Sequence, residues 1–223
     1  MTRQLIIGLI GEGKTDYRFL NSIIRRTYEE LAFDCVGDVE ILSVQNIKID
    51  SDTFPEYVFN AAKKAYQELG VMILCVHTDA DAKSDNDIFD QKINPAIDKV
   101  LNEGGEEVCR IIVPIVPITM TESWMLADED LLKDEIGTNQ SLAVLGITNK
   151  PEHISNPKEK LKEVIRAAFA KHKGRRKQLN IAELYLPIGQ KAKLEKLRAL
   201  TSFKKFEESA REALIKMNYL IID

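Results

Sequence analysis

In the first 130 residues or so, short runs of nearly continuous apolar character alternate with longer stretches where apolar positions recur every three or four residues. The short runs are Leu5 to Ile10, Val39 to Val44, Val71 to Val76 and Val108 to Val116. Continuous apolar content marks strands covered on both faces, the habit of parallel sheets. Between them lie helical patterns. Thr15 or Asp16 can cap the first, which carries Phe19, Leu20, Ile23 and Ile24. Pro55 to Leu69 puts Val58, Ala61, Ala62 and Ala65 on one face and stops at Gly70, where a left-handed residue is cheap. Ile88 to Leu101, closed by Gly104-Gly105, and Glu122 to Leu132 complete the set. Pro114 and Pro117 place the fourth strand at an edge or end it early. The alternation predicts a parallel, right-handed sheet between helices.

After about residue 135 the pattern changes. Asn139 to Ser155 is irregular, with Gly146 and Pro151. A helix is expected from Pro157 to Lys171, capped by Ser155 or Asn156, and two more over Ala192 to Leu200 and Phe203 to Met217. The chain therefore reads as an α/β domain, residues 1–135, with a helical extension, residues 136–223, packed on it.

Composition narrows the function. Of the 223 residues, 44% are apolar, sufficient for a real core, and the net charge of −4 excludes a uniformly basic nucleic-acid coat while allowing a local basic patch. Cys35, Cys75 and Cys109 are far apart, and no Cys/His spacing suggests zinc; buried free thiols are expected at Cys75 and Cys109. No apolar stretch approaches the roughly 20 residues that span a bilayer. The N-terminus leads straight into a strand rather than a signal peptide, so the cytoplasm is the expected compartment.

The candidate chemistry lies where apolar runs stop. Gly11-Glu12-Gly13-Lys14-Thr15-Asp16 follows the first, Asp79-Ala80-Asp81 the third, and Thr121-Glu122-Ser123-Trp124 the fourth. The carboxyl ends of parallel strands form a common edge where ligands bind. Acidic groups there can converge on a hard cation, Mg²⁺ or Mn²⁺. Glu12 and Asp16 are four apart and share a face if residue 12 opens a helical turn; Asp79 and Asp81 are two apart and point the same way in extended chain. Glu12, Asp79 and Asp81 are the candidate catalytic residues, and Glu12, Asp16, Asp79, Asp81 and Glu122 the candidate metal ligands. Asp16 has an alternative as a helix cap, and Asp79 and Asp81 as turn formers. His77 is expected to pack rather than ligate, because magnesium prefers oxygen, and Trp124 to anchor the core. Lys14 and Lys83 are the nearest cations, each with solvated loop charge as the alternative.

A second reading competes. Gly8 to Thr15 matches the P-loop pattern, Gly-x-x-x-x-Gly-Lys-Thr, which would make this an ATP or GTP binder with Asp79 as the magnesium carboxylate. Against it, Gly8 lies inside the apolar run, and Glu12 would put a carboxylate where the loop must embrace polyanionic phosphate.

The segment "GEGKTD" resembles the glycine-flanked glutamate of TOPRIM nucleases and primases, and "HTDAD" their Asp-x-Asp. Together with "EGKTDYRFL", "TESWMLAD", "NPKEKL" and "FKKFEESAREAL", the chain from residue 4 to about 215 resembles an uncharacterised TOPRIM-like family related to the TOPRIM domains of overcoming-lysogenization-defect (OLD) nucleases. The resemblance implies a TOPRIM-like fold, metal-dependent nuclease activity and a setting in phage defence. It carries two metal ions onto Glu12, Asp16, Asp79 and Asp81, with Asp16 where relatives usually have the longer glutamate. Glu122 matches an acidic position of the family. A non-catalytic module of a larger complex is a third reading.

Lys171, Lys173, Arg175, Arg176 and Lys177 form the densest basic run, and Lys158, Lys160, Lys162 and Arg166 precede it. Such a cluster can track a phosphate backbone of DNA or RNA without reading bases; the alternative is a solvated loop.

Overall fold

The first apolar run enters the sheet in two steps. β1 (Arg3–Leu5) pairs in parallel with β3 (Val39–Ile41), while β2 (Ile7–Ile10) pairs in parallel with β4 (Gln45–Asn46) on one side and β5 (Ile73–His77) on the other. Ile6 joins the two steps, and its carbonyl accepts the N–H of Met72 at 2.9 Å. β6 (Ile112–Ile115) pairs with β5, giving the parallel order β4-β2-β5-β6. Pro114 sits in β6, on the edge of the sheet, where a strand tolerates a residue without an N–H. The computed structural model describes residues 2–148, 150–170 and 179–221.

Helices cover both faces, and period-two alternation decides which residues meet which. Ile7, Leu9, Ile73 and Cys75 face a core shared with α1 (Lys14–Ala32). Ile10, Leu74 and Val76 face a second core with α2 (Phe54–Leu69) and α4 (Asn94–Glu103). Thr53 caps α2 through its hydroxyl, Pro55 occupies its first turn, and Gly70 ends it at φ 62°. Ahead of α4 come α3 (Asn86–Ile88) and a π-helical turn, Phe89–Ile93, so the helix expected from Ile88 begins as two short pieces.

The expected helix over Glu122 to Leu132 is broken. α5 (Glu122–Met125) stops, and α6 (Glu129–Ile136) starts afresh behind Asp128. The cause is Asp128 itself, whose buried carboxylate accepts Leu131 N–H at 3.3 Å and Lys193 N–H at 3.0 Å. An aspartate that can bond the backbone ahead of it favours a cap over a helix interior.

α7 (Leu142–Leu145) and a 3₁₀ turn, Pro151–His153, lie within the stretch expected to be irregular. α8 (Pro157–Phe169) is capped by Asn156, whose side chain accepts Glu159 N–H at 3.0 Å. A 3₁₀ turn at Ile181–Glu183 leads to α9 (Tyr185–Lys191), α10 (Leu194–Leu197) and α11 (Thr201–Lys216). Residues from α8, α9, α10 and α11 join the α1 core, with Trp124 fully buried among them against Phe203 and Phe206. The C-terminal helices thus cover one face of the sheet. All three cysteines are free, with Cys75 and Cys109 buried. Among the described residues, no helix is long and apolar enough to cross a membrane.

Candidate metal centre at the carboxyl edge of the sheet

β2 leads through α1 to the strand on one side of it, and α2 returns the chain to β5 on the other side. α1 and α2 lie on opposite faces, so the carboxyl ends of β2 and β5 flank the place where the direction of winding reverses. A crevice opens at such a switch point, and ligands bind there. Gly11 to Asp16 leaves β2 at this point, and His77 to Asp79 leaves β5.

Asp16 stands in the first turn of α1, where its Oδ2 accepts the N–H of Gly13 at 2.9 Å. The N-cap is Gly13, not Thr15 or Asp16 as expected; Asp16, at the third position of the helix, reaches back to the N-cap N–H. The same oxygen lies 3.9 Å from His77 Nε2, and Asp79 Oδ1 lies 3.8 Å from that nitrogen. His77 is buried beneath them, its Nδ1 3.1 Å from the carbonyl of Ile115. Gly11 lets the ring in, for a Cβ there would stand 3.3 Å from His77 Cδ2.

Asp79 is delivered by a zipper of loops. Beyond the strand ends, Thr78 N–H donates to Ile115 O, Ala80 N–H to Pro117 O, Asp81 N–H to Thr119 O and Thr119 N–H to Ala82 O, all at 2.9–3.2 Å. This brings Thr121 over Asp79, whose Oδ1 accepts the Thr121 N–H at 2.8 Å and stands 3.1 Å from the Thr121 hydroxyl. Glu12 is exposed at the rim, where its Oε1 accepts the hydroxyl of Thr78 at 3.3 Å. Glu122 is buried: Tyr185 OH donates to its Oε1, and Lys158 Nζ lies 3.3 Å from the same oxygen.

The electrostatics are those of an acidic cluster short of positive charge. Burial pushes the Asp79 carboxyl up to about 6, with neighbouring Asp16 adding to the rise and His77 and the Thr121 bonds opposing it. Burial likewise raises Asp16, against the pull of His77. Burial and its bond to Glu122 raise the Tyr185 hydroxyl, and Asp16 and Asp79 contribute.

Asp81 does not share this centre. The expected extended Asp-x-Asp is not extended, because Asp81 adopts φ 51° and Thr119, opposite it, φ 64°. The turn carries Asp81 to an adjoining groove of about 240 Å³ that it lines with Thr119, Met120, Lys158 and Lys162. Lys14 and Lys83 are exposed. On α8, Lys160 pairs with Glu163, and Lys162 and Arg166 pair with Glu159, so much of that helix's positive charge is matched locally. Lys171, Lys173, Arg175, Arg176 and Lys177 lie outside the described residues. A cavity of about 950 Å³, lined by Arg25, Arg26, Glu29, Phe33 and Glu40 among others, shares no residue with the acidic cluster.

The donor types suit a divalent cation, since two half-buried carboxylates face one buried imidazole with little positive charge beside them. The side chains are not closed on an ion as they stand: among the described residues, no group of three His, Cys, Asp or Glu side chains is arranged to hold one. Thr121, Tyr185 and Lys158 were not singled out from the sequence for these contacts. Thr121 carried a faint signal as the neighbour of Glu122 at a strand end, Lys158 was read only as one of the basic residues of its helix, and Tyr185, from a distant helix, carried none.

The P-loop string takes a different shape from the one its pattern demands. Gly8 lies within β2 beside Gln45 and Leu74, and a Cβ there would come within 2.7 Å of Ile47 Cδ1. Only Gly11 to Gly13 connect β2 to α1, so no long loop is present to wrap phosphates.

No curated protein and no solved structure matches the chain. A family model, described as a domain of unknown function (DUF4276), matches residues 11–209, a span that holds every acidic residue of the centre, and the chain belongs to that family.

Proposed function

We propose that this protein is a divalent-metal-dependent phosphodiesterase that cleaves nucleic acid, a nuclease using Mg²⁺ or Mn²⁺. One observation carries the reading: Asp16 Oδ2, from the first turn of α1, and Asp79 Oδ1, from the loop after β5, stand 3.9 and 3.8 Å from a single buried nitrogen. The likeness to TOPRIM domains of OLD nucleases adds the setting, cytoplasmic defence against phage with a protein partner.

In this reading Asp16 and Asp79 hold the ion, and Glu12 reaches it from the rim. A bound divalent ion supplies an acidified water and charge stabilisation at a phosphodiester. Glu12, exposed and steadied by Thr78, is placed to take the proton of that water. Lys158, half-exposed beside Glu122, would supply positive charge to a bound phosphate. Asp81, Lys158 and Lys162 line a groove that would take part of the bound strand.

The test is calorimetric titration with Mn²⁺ together with cleavage of labelled DNA and RNA. Asp79→Asn should remove the saturable heat, and Glu12→Ala should abolish cleavage, while Lys14→Ala spares both. Loss of ATP or GTP binding in Lys14→Ala, with Glu12→Ala harmless, would instead establish the nucleotide-binding reading. Absence of any saturable heat dependent on Asp79 would favour a non-catalytic module.

A further inference from the structure

Resting on the nuclease reading, we propose that the groove beside the acidic cluster is a ribonucleotide subsite in which Asp81 accepts a ribose 2′-hydroxyl, so that the strand this protein acts on is RNA rather than DNA.

Asp81 stands apart from the other carboxylates around it. Glu12, Asp16, Asp79, Glu122 and Glu159 each accept a hydrogen bond within the protein. Asp81 is exposed, and among the described residues no donor or cation pairs with its side chain. Its backbone is nevertheless held on both sides of the turn. Asp81 N–H donates to Thr119 O at 2.9 Å, and Thr119 N–H to Ala82 O at 3.0 Å. Both residues are left-handed, at φ 51° and 64°. Aspartate visits that region readily, but β-branched threonine is strained there, and such strain persists only where the surroundings impose it. Thr119 is buried, with its hydroxyl committed to Ile118 O at 2.6 Å. The two loops thus fix a group that can only accept, without a donor, in the wall of a groove of about 240 Å³.

The rest of the groove says which donor suits it. Lys158 and Lys162 line it with Asp81. Lys158 Nζ is 3.3 Å from Glu122 Oε1, and Lys162 Nζ is 3.2 Å from Glu159 Oε2. Both lysines are half-exposed, and the pair with Glu159 is the exposed kind that holds weakly, so phosphate oxygens can compete for these ammonium groups. A round space of this volume is about 8 Å across, so a donor for Asp81 must lie within one sugar of a phosphate held by the lysines. The 2′-hydroxyl qualifies, because its carbon adjoins the one that bears the 3′-phosphate. Base amino groups lie at the far end of the nucleotide. Within a strand the 3′-oxygen is esterified, so the 2′-hydroxyl is the sugar's O–H donor, and DNA lacks it. Met120 lines the same groove and offers an adaptable apolar surface to the carbon face of the sugar. Against DNA the same carboxylate is a barrier, since it would lose water and gain no bond in return.

Fluorescence anisotropy of the full chain with labelled single strands of one sequence, as RNA, 2′-O-methyl RNA and DNA, reads the contact through binding, with Ca²⁺ in place of Mg²⁺ or Mn²⁺. The wild type should bind RNA about 10- to 100-fold more tightly than the other two, the worth of a hydrogen bond to a charged group. In Asp81→Gly, which suits the left-handed backbone, RNA should fall to the level of DNA. Lys162→Ala should weaken all three alike, as loss of a phosphate contact does. The comparison of the three strands needs only the wild type, so it decides should Asp81→Gly not fold. Binding of DNA or 2′-O-methyl RNA as tightly as RNA, or an RNA preference that survives Asp81→Gly, would overturn the ribose contact. Should that happen while Mn²⁺ still binds in an Asp79-dependent manner and DNA is cleaved, the nuclease reading stands without it. No binding and no cleavage of any strand would remove both.

Discussion

Asp79 Oδ1 accepts the backbone N–H of Thr121 at 2.8 Å, across the loops that extend the β5–β6 pairing beyond the sheet. That bond fixes a carboxylate in a place where ionising it is unfavourable, because burial and Asp16 push it up to about 6. A carboxyl that rises from 3.8 on folding binds more protons folded than unfolded between those two values. Stability is therefore complete below about pH 4, falls as the pH rises through 6, and stays reduced above it.

Asp79→Asn keeps an oxygen for the Thr121 N–H and removes the charge. In chelator, the variant should be more stable than the wild type at pH 7.5, by about 1–3 kcal/mol. The gain should shrink as the pH falls towards 4. Urea unfolding at pH 7.5 and 4.5 measures both, and a variant less stable than wild type at pH 7.5 would contradict the electrostatic account. Added Mn²⁺ should stabilise the wild type and not the variant, since a ligand that binds only the native state raises its stability.

At Gly189 the backbone of α9 packs directly on that of α1. A Cβ there would stand 2.5 Å from the backbone carbonyl of Phe19, and neither backbone can step aside alone. Gly189→Ala should cost about 1–3 kcal/mol and lower the thermal midpoint. Gly8→Ala meets the flexible end of Ile47 at 2.7 Å and should cost less. Thermal unfolding of the two variants gives the order; equal effects would mean that α9 is not pressed on α1.

That contact also explains where the sequence could be read and where it could not. The parallel sheet was legible because Leu5 to Ile10 and Val71 to Val76 are apolar on both faces, as only a doubly covered strand is. α2 was legible from its own caps, Thr53 and Gly70. α9 was not, because Pro187 and Gly189 are poor helix residues, and a helix forms there through tertiary packing on α1. The candidate site divides the same way. Glu12, Asp16 and Asp79 announced themselves at strand ends, and their neighbourhood at the switch point follows from strand order. The turn at Asp81 was one of two readings of that residue, because aspartate is common in turns, but nothing in the sequence chose between the turn and the extended Asp-x-Asp. The partners of Glu122 were hidden because Lys158 and Tyr185 lie 36 and 63 residues further along the chain.

The loop after β5 is tied to the last helix by one ion pair. Lys205 Nζ lies 2.8 Å from both oxygens of Asp85, which is 3% exposed, and sits 5.7 Å from the Phe89 ring. Lys205→Met leaves a buried carboxylate without its partner and should cost about 1–3 kcal/mol, the lysine's own partial exposure keeping the figure below that of a fully buried pair. Adding Asp85→Asn should recover part of the loss. A double-mutant cycle in urea measures the coupling, and strictly additive effects would show that the pair does not hold the loop.

Trp124, the single tryptophan, reports on how the C-terminal helices seat against the sheet. Its Nε1–H donates to Ser202 Oγ at 2.8 Å, and Ser202 Oγ in turn donates to Glu152 Oε1 at 2.6 Å. Glu152 also accepts the N–H groups of Thr201 and Ser202 at 2.9 Å, closing the start of α11 from outside the helix. Every donor in this buried chain has one acceptor, so removing the middle link strands the indole N–H. Ser202→Ala should cost about 1–3 kcal/mol and change the Trp124 emission maximum of the folded protein. Glu152→Gln keeps one acceptor oxygen for Ser202 and loses the exposed bond from Thr201 N–H together with the charge at the helix start, so it should cost less than stranding the buried indole. Equilibrium unfolding followed by Trp124 fluorescence tests the ranking, and a Ser202→Ala protein as stable as wild type would mean that the indole finds another acceptor.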